Sequence, residues 1–90
     1  MAWFIYILEC SGKRLYTGIA KDVEKRLAEH KAGKGARFTK SFPPKKLLKV
    51  LEEDTHGDAL KMEYAIKRLS RQDKIGLVKG KIEMVWEYSK

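Results

Sequence analysis

Trp3-Phe4-Ile5-Tyr6-Ile7-Leu8, the turn residues Ser11-Gly12-Lys13, and then Leu15-Tyr16-Thr17-Gly18-Ile19 carry the architecture of this chain. The first run is aromatic and β-branched and apolar at successive positions, so both of its faces need cover; that predicts an inner strand. The second run is a strand of similar composition, and the glycine-containing turn between them predicts a β-hairpin. Parity then matters. With an odd number of loop residues, Tyr6 and Tyr16 share one face of the sheet, whereas a two-residue turn sends the rings to opposite faces. A three-residue loop over Cys10, Ser11 and Gly12, with Gly12 left-handed, is a common hairpin solution and predicts the shared face.

Helical signals follow the hairpin. Asp22 is an N-cap and Glu24 places an acid in the first turn, predicting a helix from Val23 to about Lys31 that stops at Gly33. Gly33 to Lys46 holds two Pro, two Gly and no acid, and is expected to be a loop with Phe38 and Phe42 interleaved among its cations. Leu47 to Glu52 alternates as a third strand. Thr55 and Asp58 open a longer helix from about His56 to Leu69, and Ser70 and Asp73 a shorter one ending near Gly80. Ile82 to Tyr88 is compatible with an edge strand or with a strap across the core. The order β-β-α-β-α-α predicts an α+β fold: a three-stranded mixed or antiparallel sheet covered by helices.

Ninety residues form a single domain, spanning 1–90, whose modest core favours an open groove over an enclosed cavity. Twenty Lys and Arg against twelve Asp and Glu give +8. Such an excess attracts polyanions over roughly a Debye length, ~8–10 Å, and points to nucleic acid ahead of an anionic membrane. Cys10 is the only cysteine, so no intrachain disulfide forms, and a reducing compartment is expected. The apolar opening lacks a basic stretch before it and meets Glu9 too early for a signal peptide or span, so a cytoplasmic location without membrane contact is the expectation.

Ionisable residues border the buried helix faces. On the first helix Val23 and Leu27 point inward, His30 lies nearly in line with them, and Arg26 sits about 40° away. On the later helix Ala59, Met62, Ile66 and Leu69 make the apolar stripe, with Glu63 beside it. A carboxylate there needs a partner: either an ion pair with Lys67 four residues on, or a metal ion. Arg26 and His30 likewise have ordinary readings, as a snorkelling arginine and a satisfied half-buried histidine. Two phenols are most simply cross-strand packing.

Taken in order, Phe4-Ile5-Tyr6, Tyr16-Thr17-Gly18, Arg26-x-x-x-His30 and Glu63 resemble the signature of the GIY-YIG nuclease superfamily, and especially its small stand-alone bacterial members. The resemblance runs from Trp3 to about Val78. Phe4 stands where the first glycine of the motif would be, and the chain lacks the Asn that many members carry near the C-terminus. The resemblance implies a metal-dependent endonuclease that hydrolyses phosphodiester bonds, DNA ahead of RNA, in repair or processing. Glu63 would bind one Mg²⁺ or Mn²⁺, and Arg26 would hold a non-bridging phosphate oxygen. Tyr6, Tyr16 or His30 would orient or deprotonate the attacking water.

Gly18 would permit close backbone approach or end the strand. Lys34, Arg37, Lys40, Lys45 and Lys46 in the basic segment would contact phosphates, with Lys67 and Arg71 extending the surface. Two other functions fit the same residues: a non-catalytic nucleic-acid-binding module, or a subunit of a repair or ribonucleoprotein assembly. A homodimer or a protein partner would be one source of substrate choice.

Overall fold

The computed structural model describes residues 2–80; the expected tail element from Ile82 to Tyr88 lies outside them. The elements are β1 (Trp3–Cys10), a single 3₁₀ turn (Ser11–Lys13), β2 (Arg14–Ala20), α1 (Val23–Lys31), α2 (Arg37–Ser41), β3 (Pro44–Glu53), α3 (His56–Lys67) and α4 (Arg71–Val78). The sheet is fully antiparallel in the order β2-β1-β3. The doubly apolar β1 is therefore the middle strand, as its composition requires. One face holds Ile5 and Ile7 against Ala59, Met62 and Ile66 of α3 and Leu77 of α4. The other holds Tyr6, Leu8 and Cys10 against Val23 and Leu27 of α1 and Phe38 and Phe42 around α2. Each fully buried aliphatic side chain of this kind contributes roughly 1.5–3 kcal/mol.

The hairpin loop is Ser11-Gly12-Lys13, one residue later than expected, because Cys10 still pairs with Arg14. Its length is nevertheless odd. Gly12 takes φ 75° and Lys13 φ 60°, the left-handed turn that closes the strands. The register sets Tyr6 opposite Gly18 and Leu8 opposite Tyr16, so the two tyrosines share a face.

All three helix caps expected from the sequence form. Asp22 Oδ1 accepts from the Lys25 amide at 3.0 Å, Thr55 Oγ1 from Asp58 at 3.0 Å, and Ser70 Oγ from Asp73 at 3.1 Å. The basic segment departs from expectation. Residues expected to be loop form α2, and β3 starts at Pro44 rather than Leu47. A five-residue helix has no periodicity of its own and is too short to persist alone. The Phe42 amide donates to the Phe38 carbonyl at 2.8 Å, and both rings dock on the core, which holds the turn closed. Pro44 is tolerated because it is the first residue of an edge strand, where no ladder donor is missed. No helix among the described residues is long and apolar enough to cross a membrane.

Candidate active site

The Tyr6 hydroxyl and His30 Nε2 lie 2.8 Å apart, and His30 Nδ1 lies 2.6 Å from Thr39 Oγ1. Proton positions follow from the last link. Thr39 Oγ1 donates its one hydrogen to the Ala36 carbonyl at 2.9 Å, so it accepts from Nδ1–H of the imidazole. A neutral imidazole with its proton on Nδ1 leaves Nε2 bare, and Nε2 accepts from the Tyr6 O–H. Burial, and then the positive charge of Arg26, push the His30 pKa below its ordinary value, with Glu29 opposing, which keeps the ring neutral near pH 7. The result is a directed chain from Tyr6 through His30 to Thr39, held between β1, α1 and α2. Both Tyr6 and His30 are almost wholly buried.

Tyr6 is strongly biased toward its protonated form. Its pKa is pushed up to about 12, first by burial and then by Tyr16, with Glu63 adding to the rise. The Arg26 guanidinium works in the opposite direction, as hydrogen-bond donor and as positive charge beside the phenol oxygen. Arg26 also pairs with Glu29 at 2.9 Å, a partner that nothing in the motif suggested. Both side chains are about a third exposed, so this pair is screened and exchangeable.

Tyr16 lies among rings. Its centroid is 6.3 Å from Tyr6, 5.3 Å from His30 and 5.8 Å from Phe38, and it is nearly parallel only to the last. Gly18 sits directly under the Tyr6 hydroxyl. A Cβ there would fall 2.5 Å from the phenol oxygen and 3.0 Å from a Tyr16 ring carbon, so only glycine leaves room for both rings.

Glu63 approaches from the other layer, since α3 packs on the opposite face of the sheet. Its charge still reaches Tyr6. The side chain is only 18% exposed and makes an ion pair with Lys67 at 3.1 Å, the structural alternative raised by the sequence. No group of three or more metal-ligating side chains occurs among the described residues. A single, mostly buried carboxylate suits a hard divalent ion that keeps several water ligands, and a half-exposed lysine is readily displaced, so these residues fit Mg²⁺.

The basic residues divide. Lys34, Arg37, Lys40, Lys45 and Lys46 are exposed around α2 and the start of β3, with Lys46 loosely paired to Glu9 at 3.9 Å. Lys67 is committed to Glu63, and Arg71 opens α4 on the surface. Phe38 and Phe42 are both half-buried anchors. His56, which has no evident partner in the sequence, stacks on Trp3 with centroids 4.2 Å apart. Burial pushes the Cys10 thiol up, which suits a core filler and not a nucleophile.

Comparison with known proteins bears on the family and the fold. The family described as GIY-YIG catalytic domain matches residues 2–76. A UPF0213 protein of Cupriavidus necator is 52% identical over 73 residues, which cover 81% of this chain and 79% of that one. Another, from Staphylococcus saprophyticus, is 48% identical over 75 residues, covering 83% and 92%. The solution NMR structure of a UPF0213 protein from Bacillus halodurans superposes with a TM-score of 0.58 at 38% identity, covering 90% of this chain and 86% of that chain. With a catalytic-domain match over most of its length and relatives of similar size, the chain belongs to the GIY-YIG family.

Proposed function

We propose that the chain is a divalent-metal-dependent endonuclease that hydrolyses phosphodiester bonds in nucleic acid, with DNA preferred to RNA, in a repair or processing role in the cytoplasm. One observation carries the reading: a buried Tyr6–His30–Thr39 hydrogen-bond chain, directed toward a neutral imidazole, beside the Arg26 guanidinium. The phenol oxygen at the head of that chain also faces the Arg26 cation, which sets a route for a proton beside a group that can hold phosphate.

In the reaction the attacking water donates a hydrogen bond to the Tyr6 oxygen. As its oxygen bonds to phosphorus and the bond to the leaving oxygen breaks, its proton passes to Tyr6 and the Tyr6 proton passes to His30 Nε2, while the leaving oxygen takes a proton from solvent water. The imidazolium that results keeps Thr39 as acceptor and has Glu29 nearby, both of which favour the charged form. Arg26 exchanges its exposed pair with Glu29 for a non-bridging phosphate oxygen and opposes charge building up there. Tyr16 walls the site with its ring. Glu63 would hold the divalent ion, which supplies charge neutralisation at the phosphate and its leaving oxygen. Lys34, Arg37, Lys40, Lys45 and Lys46 supply the surrounding positive field, and Lys67 would join them if Glu63 held a metal ion in its place.

Replacing Glu63 by Gln tests the proposal. With labelled DNA and Mg²⁺ or Mn²⁺, the wild-type chain should cut. Glu63→Gln should lose at least about a hundredfold in rate, the scale of several kcal/mol of charge stabilisation, while binding DNA as before. A wild-type chain that binds DNA but shows no metal-dependent cleavage would instead be a non-catalytic binding module or an assembly subunit.

A further inference from the structure

Away from the Tyr6–His30 chain, a recess of about 310 Å³ is lined by Arg14, Leu15, Phe38, Arg71 and Lys74. Three of the five are cations and none is an acid. Arg14 is held in place from two sides: it donates to the Ser11 carbonyl at 3.3 Å, and its guanidinium lies 3.9 Å above the Phe42 ring. Arg71 and Lys74 are three residues apart on α4 and so share one helix face. Among the described residues none of the three forms an ion pair, so their charge is not already neutralised there.

The position is as informative as the charge. The recess straddles the free edge of β2, with Arg14 and Phe38 from the α1–α2 layer and Leu15 with α4 from the other. It also adjoins the candidate site, because the Phe38 ring stacks on Tyr16, which neighbours Tyr6. Along β2, Arg14 is four residues from Gly18, or ~13 Å at the usual strand rise. A polyanion lying along this edge would meet the Tyr6 hydroxyl at one end and the recess at the other.

We propose that the recess is a second phosphate subsite, which takes one sugar-phosphate unit flanking the unit that is cut. The phosphate sits on Arg14, Arg71 and Lys74, and the sugar lies against Leu15 and Phe38. Two guanidiniums offer forked donors to phosphate oxygens, and a volume at the lower end of ordinary ligand sites holds one such unit. A contact of this kind fixes the register of the strand over the reacting centre without reading its sequence. The inference rests on the nucleic-acid reading above but not on catalysis.

The test is oligonucleotide binding in EDTA, where no metal-dependent cutting occurs, as a function of salt. Arg71→Ala/Lys74→Ala is compared with Lys25→Ala/Lys79→Ala, which removes equal charge from exposed positions outside the recess. The recess variant should bind about tenfold or more weakly. Its slope of log affinity against log salt should shrink by about one, the share of one phosphate contact, while the control keeps the wild-type slope. Titrating ¹⁵N-labelled protein with thymidine 5′-monophosphate should also move the amide signals of Arg14, Leu15, Phe38, Arg71 and Lys74 together. Equal slopes for the two variants, or shifts confined to other residues, would overturn the subsite and leave the nuclease reading standing. A wild-type chain that binds no oligonucleotide would overturn both.

Discussion

His30→Gln separates two routes for activating water that differ by orders of magnitude. Glutamine can still accept a hydrogen bond from Tyr6 but cannot take its proton. If Tyr6 acted as a free phenolate, a pKa of about 12 would leave one molecule in ~10⁵ active at pH 7, a handicap of about 7 kcal/mol. The relay carries no such handicap. Because the His30 pKa is lowered from its ordinary 6.5, more than roughly three-quarters of the chains hold a neutral imidazole at pH 7. A weaker base pulls less hard on the proton, so the ~10⁵ ratio is an upper bound on the rate difference. The assay is the single-turnover cleavage rate of a labelled oligonucleotide at saturating Mg²⁺, from about pH 6 to about pH 9.5. The wild type should fall on the acid side, where His30 gains a proton, and stay level from neutrality upward. His30→Gln should be far slower at neutrality and gain about tenfold per pH unit, as only the phenolate route remains. A wild-type rate that itself climbs tenfold per unit across the neutral to alkaline range would refute the relay.

Thr39→Val keeps the side-chain shape but removes the acceptor for His30 Nδ1–H. An unpaired buried donor costs about 1–3 kcal/mol, so thermal unfolding should drop by roughly 4–8 °C per kcal/mol. Cleavage should fall by about 10–100-fold as the tautomer loses its anchor, and Thr39→Ser should restore both; an unchanged rate in Thr39→Val would show that the tautomer is held by something else. Gly18→Ala places a methyl 2.5 Å from the Tyr6 oxygen, which cannot move without giving up His30. It should cost about 1–3 kcal/mol in a thermal melt, with loss of cleavage beyond what unfolding explains. A melting temperature equal to wild type would contradict the close approach.

The strands, the helix caps and the pairing of phenols on one face were legible because they depend on neighbours in the chain. β1 is apolar on both sides, and a strand like that can only be covered in the middle of a sheet. Asp22, Thr55 and Ser70 reach amides three residues away, so their role needs no knowledge of the rest of the fold. Tyr6 and Tyr16 follow from loop parity alone, and parity survived a shift of the turn by one residue. Helical spacing likewise sets Arg26, His30 and Glu63 beside buried stripes.

The chain could not announce α2 or Thr39 in the same way, whereas the Arg26–Glu29 pair, three residues apart on α1, carries a local signal of the same kind as the caps. A five-residue helix exists because Phe38 and Phe42 find a core assembled from β1 and α1, and Thr39 becomes a histidine partner only once that helix is docked. The direction of the protons needs the Ala36 carbonyl, His30 and Tyr6 in place together, and no pairwise spacing encodes three bodies at once. Glu63 comes from the opposite layer, so whether its charge reaches Tyr6 was a matter of how two helices straddle a sheet. Local patterns specify which faces are buried; packing alone specifies which buried groups meet, because that depends on distances between segments the chain leaves free to vary until the core closes.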